Sequence, residues 1–316
     1  KKEHLEAMLN SVSRQSYPHW ELIVADAGGT AESVQAWAKK NGICLREAAD
    51  ASNLAEWKDQ SIVPCTLSEN QGISANTNAG IGLAAGDAVG LLDHDDLLTA
   101  NALWEMADCL EKEKKRGKQK LVLFSDEDKC DGAASRFYEP NFKPDFDGEL
   151  LLTNNYICHF TVIETAFLKE LKLRSGFDGA QDYDLMLRAY AAGGQFVHVP
   201  KVLYHWRCHE ASTASNPQSK RYAYEAGQRA LEDYCLRKGW KATVSGLKHL
   251  GFYREDYEDS VFCQRPEIGI WAKPLPGGRD VFGIRHPKGF LVSGLYENDG
   301  SMRYAGLRKG YSGPMH

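Results

Sequence analysis

Several features that would place a chain in a class at once are missing here. The eight cysteines are never closer than 21 residues and none forms Cys-x-x-Cys. That spacing is neither a zinc site nor a disulfide framework, and it suits reduced, mostly buried thiols in a cytoplasmic protein. No apolar run approaches the ~18 residues that a membrane-spanning helix needs, and no signal peptide is visible. There is no basic excess: 38 Lys and Arg stand against 43 Asp and Glu, a net charge of −5. Composition therefore points to neither nucleic acid nor anionic lipid. Low-complexity tracts, a convincing internal repeat and a Gly-rich phosphate loop with a nearby Arg are also lacking. What remains is 316 residues with a 43% hydrophobic fraction. That is enough for one large domain or two small ones with a substantial core. The chain opens at Lys1 directly in a helix, which reads as a piece of a longer protein.

The apolar spacing alternates between helix and strand periods. Residues 3–14 read as a helix (Leu5, Met8, Leu9, Val12), 20–24 as a strand ending at Asp26, 31–40 as a helix and 43–47 as a strand. Helices follow at 73–85 and 101–114, with strands at 88–92 and 121–124. Further on, strands are expected at 160–163, 196–199, 202–206 and 241–250, and helices at 182–192 and 219–238. Strand and helix in turn predict an α/β fold with a mostly parallel sheet covered on both faces. A Gly- and Pro-rich tail sets a boundary near 250–265.

The most informative stretch is Leu91-Leu92-Asp93-His94-Asp95-Asp96. Three carboxylates packed this closely repel unless a cation or hydrogen bonds satisfy them. The cluster is either a solvated turn or a holder for a hard divalent cation that in turn holds phosphate. Three successive strands end in acid: Asp26, then Asp93 to Asp96, then Asp126 to Asp128. Ligands of such sheets collect at strand carboxyl ends. Before the acidic strand, Gly72 lets a backbone approach a ligand, and a helix start at Ile73 favours phosphate. Asp182 opens a later helix, either as a capping carboxylate or as a general base. In Tyr204-His205-Trp206-Arg207, His205 is a structural histidine or, beside an acidic site, a metal ligand, and Arg207 suits a diphosphate.

The ordered set resembles the family 2 glycosyltransferases over most of residues 3–250. It comprises Ser16 to Leu22, Asn70-Gln71-Gly72-Ile73 through Asn78, Gly86 to Asp96, Phe124 to Lys129, Asn155 to His159, Gly176 to Gly179, Gln181 to Leu185 and Pro200 to Arg207. The resemblance implies a GT-A (Rossmann-like) fold with a nucleotide-binding half (1–128), an acceptor half (129–250) and an extension (251–316). It implies donor-nucleotide contacts from Asp26, Asn70, Gly72, Asn78, Asp93 and Arg207. It implies Mg²⁺ or Mn²⁺ on Asp95, Asp96 and His205, with Asp182 as the base that deprotonates the acceptor. The activity implied is inverting transfer from a nucleotide-diphosphate sugar, UDP by preference, to a glycan or lipid-linked acceptor of a bacterial surface polysaccharide. That work implies a cytoplasmic protein at the inner membrane face, associated peripherally through the rest of the parent.

The match departs from the family pattern in three places. The family's first apolar strand is absent, which would leave a sheet edge unpaired. Asp26 is followed by Ala27 where paired Asp is usual, and Gln181-Asp182 stands for the usual Glu-Asp. Segments around Ile268 and Leu295 look like a remnant of a second unit of the same superfamily. Two other readings stand beside it: a catalytically silent nucleotide- or glycan-binding relative of the same fold, and a sugar-nucleotide pyrophosphorylase, which shares the sheet architecture but whose Gly-rich phosphate loop with Arg near the start is lacking.

Overall fold

A computed structural model describes residues 2–50, 57–208 and 221–258, and beyond them the backbone of four strands. It divides into two units, Lys1–Asp256 and Tyr257–His316. Among the described residues no helix is long and apolar enough to cross a membrane, and the seven described cysteines are all free.

In the first unit the elements run α1 (Lys2–Ser13), β1 (Glu21–Asp26), α2 (Ala31–Asn41), β2 (Cys44–Leu45), β3 (Ser61–Thr66), α3 (Ile73–Leu83), β4 (Ala88–Gly90) and β5 (Leu97–Leu98). They continue with α4 (Ala102–Lys115), β6 (Leu121–Cys130), β7 (Phe137–Asn141), α5 (Gly148–Thr153), β8 (Thr161–Glu164), α6 (Thr165–Leu171), α7 (Gln181–Ala191) and β9 (Gln195–Arg207). The unit closes with α8 (Arg221–Arg237), β10 (Ala242–Gly246) and β11 (Tyr253–Tyr257). The second unit is an antiparallel meander of β12 (Gly269–Leu275), β13 (Arg279–Arg285), β14 (Phe290–Tyr296) and β15 (Met302–Lys309). Residues 267, 268 and 297–301 of the suspected remnant lie outside the described residues.

Two sheets carry the first unit. One is parallel, in the order β1-β3-β2; the other is mixed, in the order β4-β8-β6-β9-β5 with β7 added on β6. In the mixed sheet only β6 and β9 run parallel, from Leu121↔Gln195 to Cys130↔Arg207. Antiparallel pairing thus prevails in the larger sheet, since β8 runs opposite to both β4 and β6, β5 opposite to β9, and β7 opposite to β6. The sheet is covered on both faces. Val122 and Phe124 pack into a core with Leu151, Ile157, Leu185 and Leu231, while the intervening Leu123 packs into a second core with Leu9, Val34, Ile62 and Tyr204. Alternation at period two sends successive β6 side chains to opposite layers.

Some elements differ from the sequence reading. The strand at 121–124 does not stop at its acids; β6 runs through them to Cys130, and Asp126 and Glu127 are buried. The two strands expected around Pro200 are one, β9, with the β6 register shifting beside that proline. The strand expected at 43–47 is reduced to two residues, and β3 was not expected at all.

Candidate functional site

The acidic loop between β4 and β5 is clamped from below by the end of β9. The Tyr204 hydroxyl accepts from the Asp93 amide at 3.4 Å and donates to Asp96 Oδ2 at 2.5 Å. Asp96 Oδ1 accepts from the Arg207 amide at 2.7 Å. The Arg207 guanidinium donates from Nε to the Asp95 carbonyl at 2.5 Å and from Nη1 to the Gly132 carbonyl at 2.7 Å. Asp96 and Arg207 are both 2% exposed. Burial pushes the Asp96 carboxyl up to about 7, although the Tyr204 and Arg207 bonds pull the other way. These two residues therefore anchor the loop. Both Asp96 oxygens are thus taken by Tyr204 and the Arg207 amide, and Arg207 spends Nε and Nη1 on backbone carbonyls while its buried Nη2 has no hydrogen-bond partner in the protein. Asp93 is exposed and Asp95 half-buried.

The expected metal set does not come together as a preformed cage. Among the described residues no group of three or more His, Cys, Asp or Glu side chains is placed to hold an ion. His205 lies under the Phe137 ring, with Nδ1 2.5 Å from Asp128 Oδ1.

Three expected donor contacts, Asp26, Asn70 and Asn78, hold backbone through their side chains. Asp26 accepts from the amides of Gly28 (2.9 Å) and Ala31 (2.6 Å), closing the turn before α2. Burial raises the Asp26 pKa, but bonds from Gly28, Thr30 and Ala31 outweigh it and hold the carboxyl below its usual range. Asn70 Oδ1 accepts from the Gly72 amide and from Asn76 Nδ2. Asn78 pairs both ways with the Leu173 backbone, each bond 2.8 Å. Gly72 has φ 96°, and a Cβ there would stand 2.6 Å from Asp178 Oδ2. Asp178 also accepts from the Ser74 amide at 3.3 Å. The start of α3, where a phosphate was expected, thus faces a carboxylate of the chain itself.

A second set of polar and charged side chains meets elsewhere. A cavity of 440 Å³ is lined by Glu127, Asn141, Asn154, Asn155, Tyr156, Cys158, His159, Asp182, Trp206 and Phe252. Asp182 is not the cap of α7: that helix start carries no side-chain cap bond, and the Gly179 amide donates to Gln181 Oε1. Instead Asp182 Oδ2 accepts from Asn155 Nδ2 at 2.9 Å. Opposite lies a charged group that the sequence reading did not assign. Glu127 Oε2 accepts from the His159 amide at 2.6 Å, with His159 Nδ1 at 3.3 Å and Lys143 Nζ at 3.9 Å. Lys143, 6% exposed, donates to the carbonyls of Ile157 and His159. Burial would raise Glu127, but His159 and Lys143 keep it below its usual range. Burial would lower His159, yet Glu127, Asp93 and Asp96 lift it to about 9. The His159 ring stacks on Tyr204 at 5.0 Å, between the cavity and the acidic loop. The segments 125–129 and 155–159 were matched as motifs, but only the fold shows that Glu127, Asn155 and His159 meet.

The sequence profile described as "Glycosyl transferase family 2" matches residues 1–171. A protein of Sinorhizobium fredii, called uncharacterized protein y4gI, is 36% identical over 241 residues, covering 75% of this chain and 24% of its own length. The O-antigen biosynthesis protein RfbC of Myxococcus xanthus is 35% identical over 242 residues, 76% of this chain and 18% of its own length. This chain thus spans a quarter or less of these two relatives. Among solved structures, TarS residues 1–349 of S. aureus in complex with UDP aligns over 73% of this chain and 61% of its own, at 15% identity and a TM-score of 0.49.

Proposed function

The chain belongs to glycosyl transferase family 2, and from that premise we propose that it moves a sugar from a nucleotide-diphosphate donor, UDP by preference, to a hydroxyl of a glycan or lipid-linked acceptor. The observation that carries this reading is Asp182, a carboxylate in the wall of a 440 Å³ cavity with one oxygen held by Asn155. A base must lie within hydrogen-bond reach of the proton it takes, and its rotamer must be fixed. In the proposed reaction the acceptor oxygen bonds to the anomeric carbon from the face opposite the donor diphosphate. The carbon–oxygen bond to the diphosphate breaks, the hydroxyl proton passes to Asp182, and the configuration inverts.

Mg²⁺ and Mn²⁺ are usually bound through one or two carboxylates and the phosphates of the substrate rather than by an all-protein cage. Asp93 and Asp95 on the clamped loop suit such a half-site. His205 suits it too: with Nδ1 bonded to Asp128, Nε2 is the nitrogen left to ligate, the arrangement common behind metal-bound histidines. The ion, when bound, would offset the charge that develops on the departing diphosphate. Asp96 does not suit a ligand role, and its part is to fix the loop. A lipid-linked acceptor would bring the reaction to the inner face of a membrane, through parts of the parent protein outside this chain.

The test is Asp182→Asn, which keeps the shape and removes the base. Transfer from a UDP-sugar should fall about 10²- to 10⁴-fold, while calorimetric binding of UDP with Mn²⁺ stays unchanged. Asp95→Ala should remove that metal-dependent binding. Transfer by Asp182→Asn at the parent rate would overturn the base assignment.

A further inference from the structure

A base has to be held as well as placed. We infer that Asp178 is a positioning residue: its carboxylate, docked on the first turn of α3, fixes the start of α7 and through it Asp182. That Asp182 is the base rests on the glycosyltransferase reading above; the tie between α3 and α7 does not.

Residues 173–179 form a strap bonded to three helices. On α3 it has two points of attachment. Asn78 exchanges hydrogen bonds with the Leu173 amide and carbonyl, and one helical turn earlier the Ser74 amide donates to Asp178 Oδ1 at 3.3 Å. Positions four apart lie on one face of a helix, so both points belong to one docking surface. A carboxylate suits the second point, because a helix N-terminus offers unpaired amides and a partial positive charge. Gly72 leaves the room that Asp178 Oδ2 fills. Arg174 reaches the other two helices, at Asp184 of α7 and Asp233 of α8. From Asp178 to Asp182 the chain has no slack. Gly179 has φ 100°, and a Cβ there would stand 2.6 Å from the Tyr222 ring and 3.0 Å from Ala223 Cα on α8. The Gly179 amide donates to Gln181 Oε1 at 2.8 Å, and the Ala180 amide to the Phe177 carbonyl at 2.8 Å. α7 then begins without a side-chain cap of its own, so the place of its first turn is set by the chain that enters it. The grip of Arg174 on Asp184 lies on the far side of α7, ~200° around from Asp182, and does not by itself set that carboxylate. Asn155 fixes the Asp182 side chain, and the strap fixes the backbone that carries it.

The test is hydrogen–deuterium exchange on the whole chain. Asp178→Ala should speed exchange roughly fivefold in peptides covering 72–76 and 179–185 and leave those covering 121–127 unchanged. Asp178→Asn, which keeps an oxygen for the Ser74 amide, should restore both. Thermal unfolding should show both variants folded, with Asp178→Ala lower by roughly 2–4 °C. Loosening confined to 72–76 would mean that Asp178 only caps α3, and would overturn the inference. The second readout is release of UDP from UDP-glucose with Mn²⁺, water serving as the acceptor. In Asp178→Ala kcat should fall roughly 10- to 100-fold while KM stays within about twofold of the parent. Asp178→Asn should recover most of that loss. In an Asp182→Asn background, Asp178→Ala should lower kcat by less than about twofold further, because the group it positions is gone. Equal losses in the two backgrounds would overturn the route through Asp182. Parent-rate UDP release by Asp178→Ala, with Asp182→Asn impaired, would overturn the positioning role alone and leave the proposed reaction standing. An unimpaired Asp182→Asn beside an impaired Asp178→Ala would strike the base, and with it the claim that Asp178 acts through Asp182.

Discussion

The two sheets of the first unit are built from similar strands and end up in different conditions. In β1, Leu22, Ile23 and Val24 are only half-buried, and among the described residues β1 pairs with β3 alone. In β6 the first seven residues are buried, β8 and β9 flank it, and side chains enter a core on each face. A strand with neighbours on both edges and helices over both faces has nowhere to move. The cavity hangs from that strand and from β9 beside it, so Glu127 and Trp206 take their places from the most constrained part of the fold. The β1 sheet carries turns and loops whose polar residues mainly hold their own backbone. Rigid support and the proposed site coincide in the mixed sheet, as preorganisation requires.

The most direct way to break this comparison is to remove one apolar side chain from each sheet. Phe124→Ala leaves a hole beneath Tyr156 and His198, both in ring contact with Phe124. It should cost about 3–5 kcal/mol by urea denaturation. Ile23→Ala, in a half-buried strand, should cost roughly 1–2 kcal/mol. Equal losses would mean that the two sheets are equally constrained.

A second test titrates the cavity wall. His159 has a folded pKa of about 9, above its usual value, because Glu127, Asp93 and Asp96 outweigh its burial. Its contribution to stability is therefore complete below pH ~6.5 and lost as pH rises through 9, on the order of 2–3 kcal/mol in all. Unfolding measured from pH 6 to 10 should show this alkaline loss, and His159→Gln should flatten it. A parallel loss in the variant would place the titrating group elsewhere. Asn78→Ala comes next. It leaves the Leu173 amide and carbonyl unpaired and should cost about 1–3 kcal/mol. If Asn78 instead contacts the donor, UDP affinity should fall while stability holds.

Much of this fold could be read from residue order, and the reasons for what could not are local. The 3–4 spacing of Leu5, Met8, Leu9 and Val12 foretold α1, and all four are buried. β3 was hidden by Pro64, which argues against a central strand. The structure resolves this because β2 pairs only with Ser61 and Ile62, so among the described residues the strand has a neighbour on one side only at Pro64. Acids at strand ends drew attention to Asp26, Asp96 and Asp126, yet each is satisfied by backbone or buried side-chain donors. Residue type shows that a carboxylate needs partners; it does not show whether the partner is a ligand or the next turn. The cavity depends on the register between β6 and β9 and on the approach of α7. Spacing along the chain encodes neither, so Glu127, Lys143 and His159 could be matched or passed over but not assembled.

The smallest effect tests the β1 side of the comparison at Asp26. Its carboxylate takes two amides of the turn into α2 and is held below its usual pKa, so it acts on that turn as a helix-capping residue does. Asp26→Ala should therefore cost about 1 kcal/mol. A lowered folded pKa means the contribution is present above pH ~4 and disappears as pH falls through the folded value. The difference between parent and variant should shrink in acid and be constant from pH 5 to 8. If Asp26 serves the donor nucleoside instead, the variant should match the parent in stability at every pH and lose UDP affinity. That outcome would return the β1 sheet to the chemistry and leave β6 without its distinction.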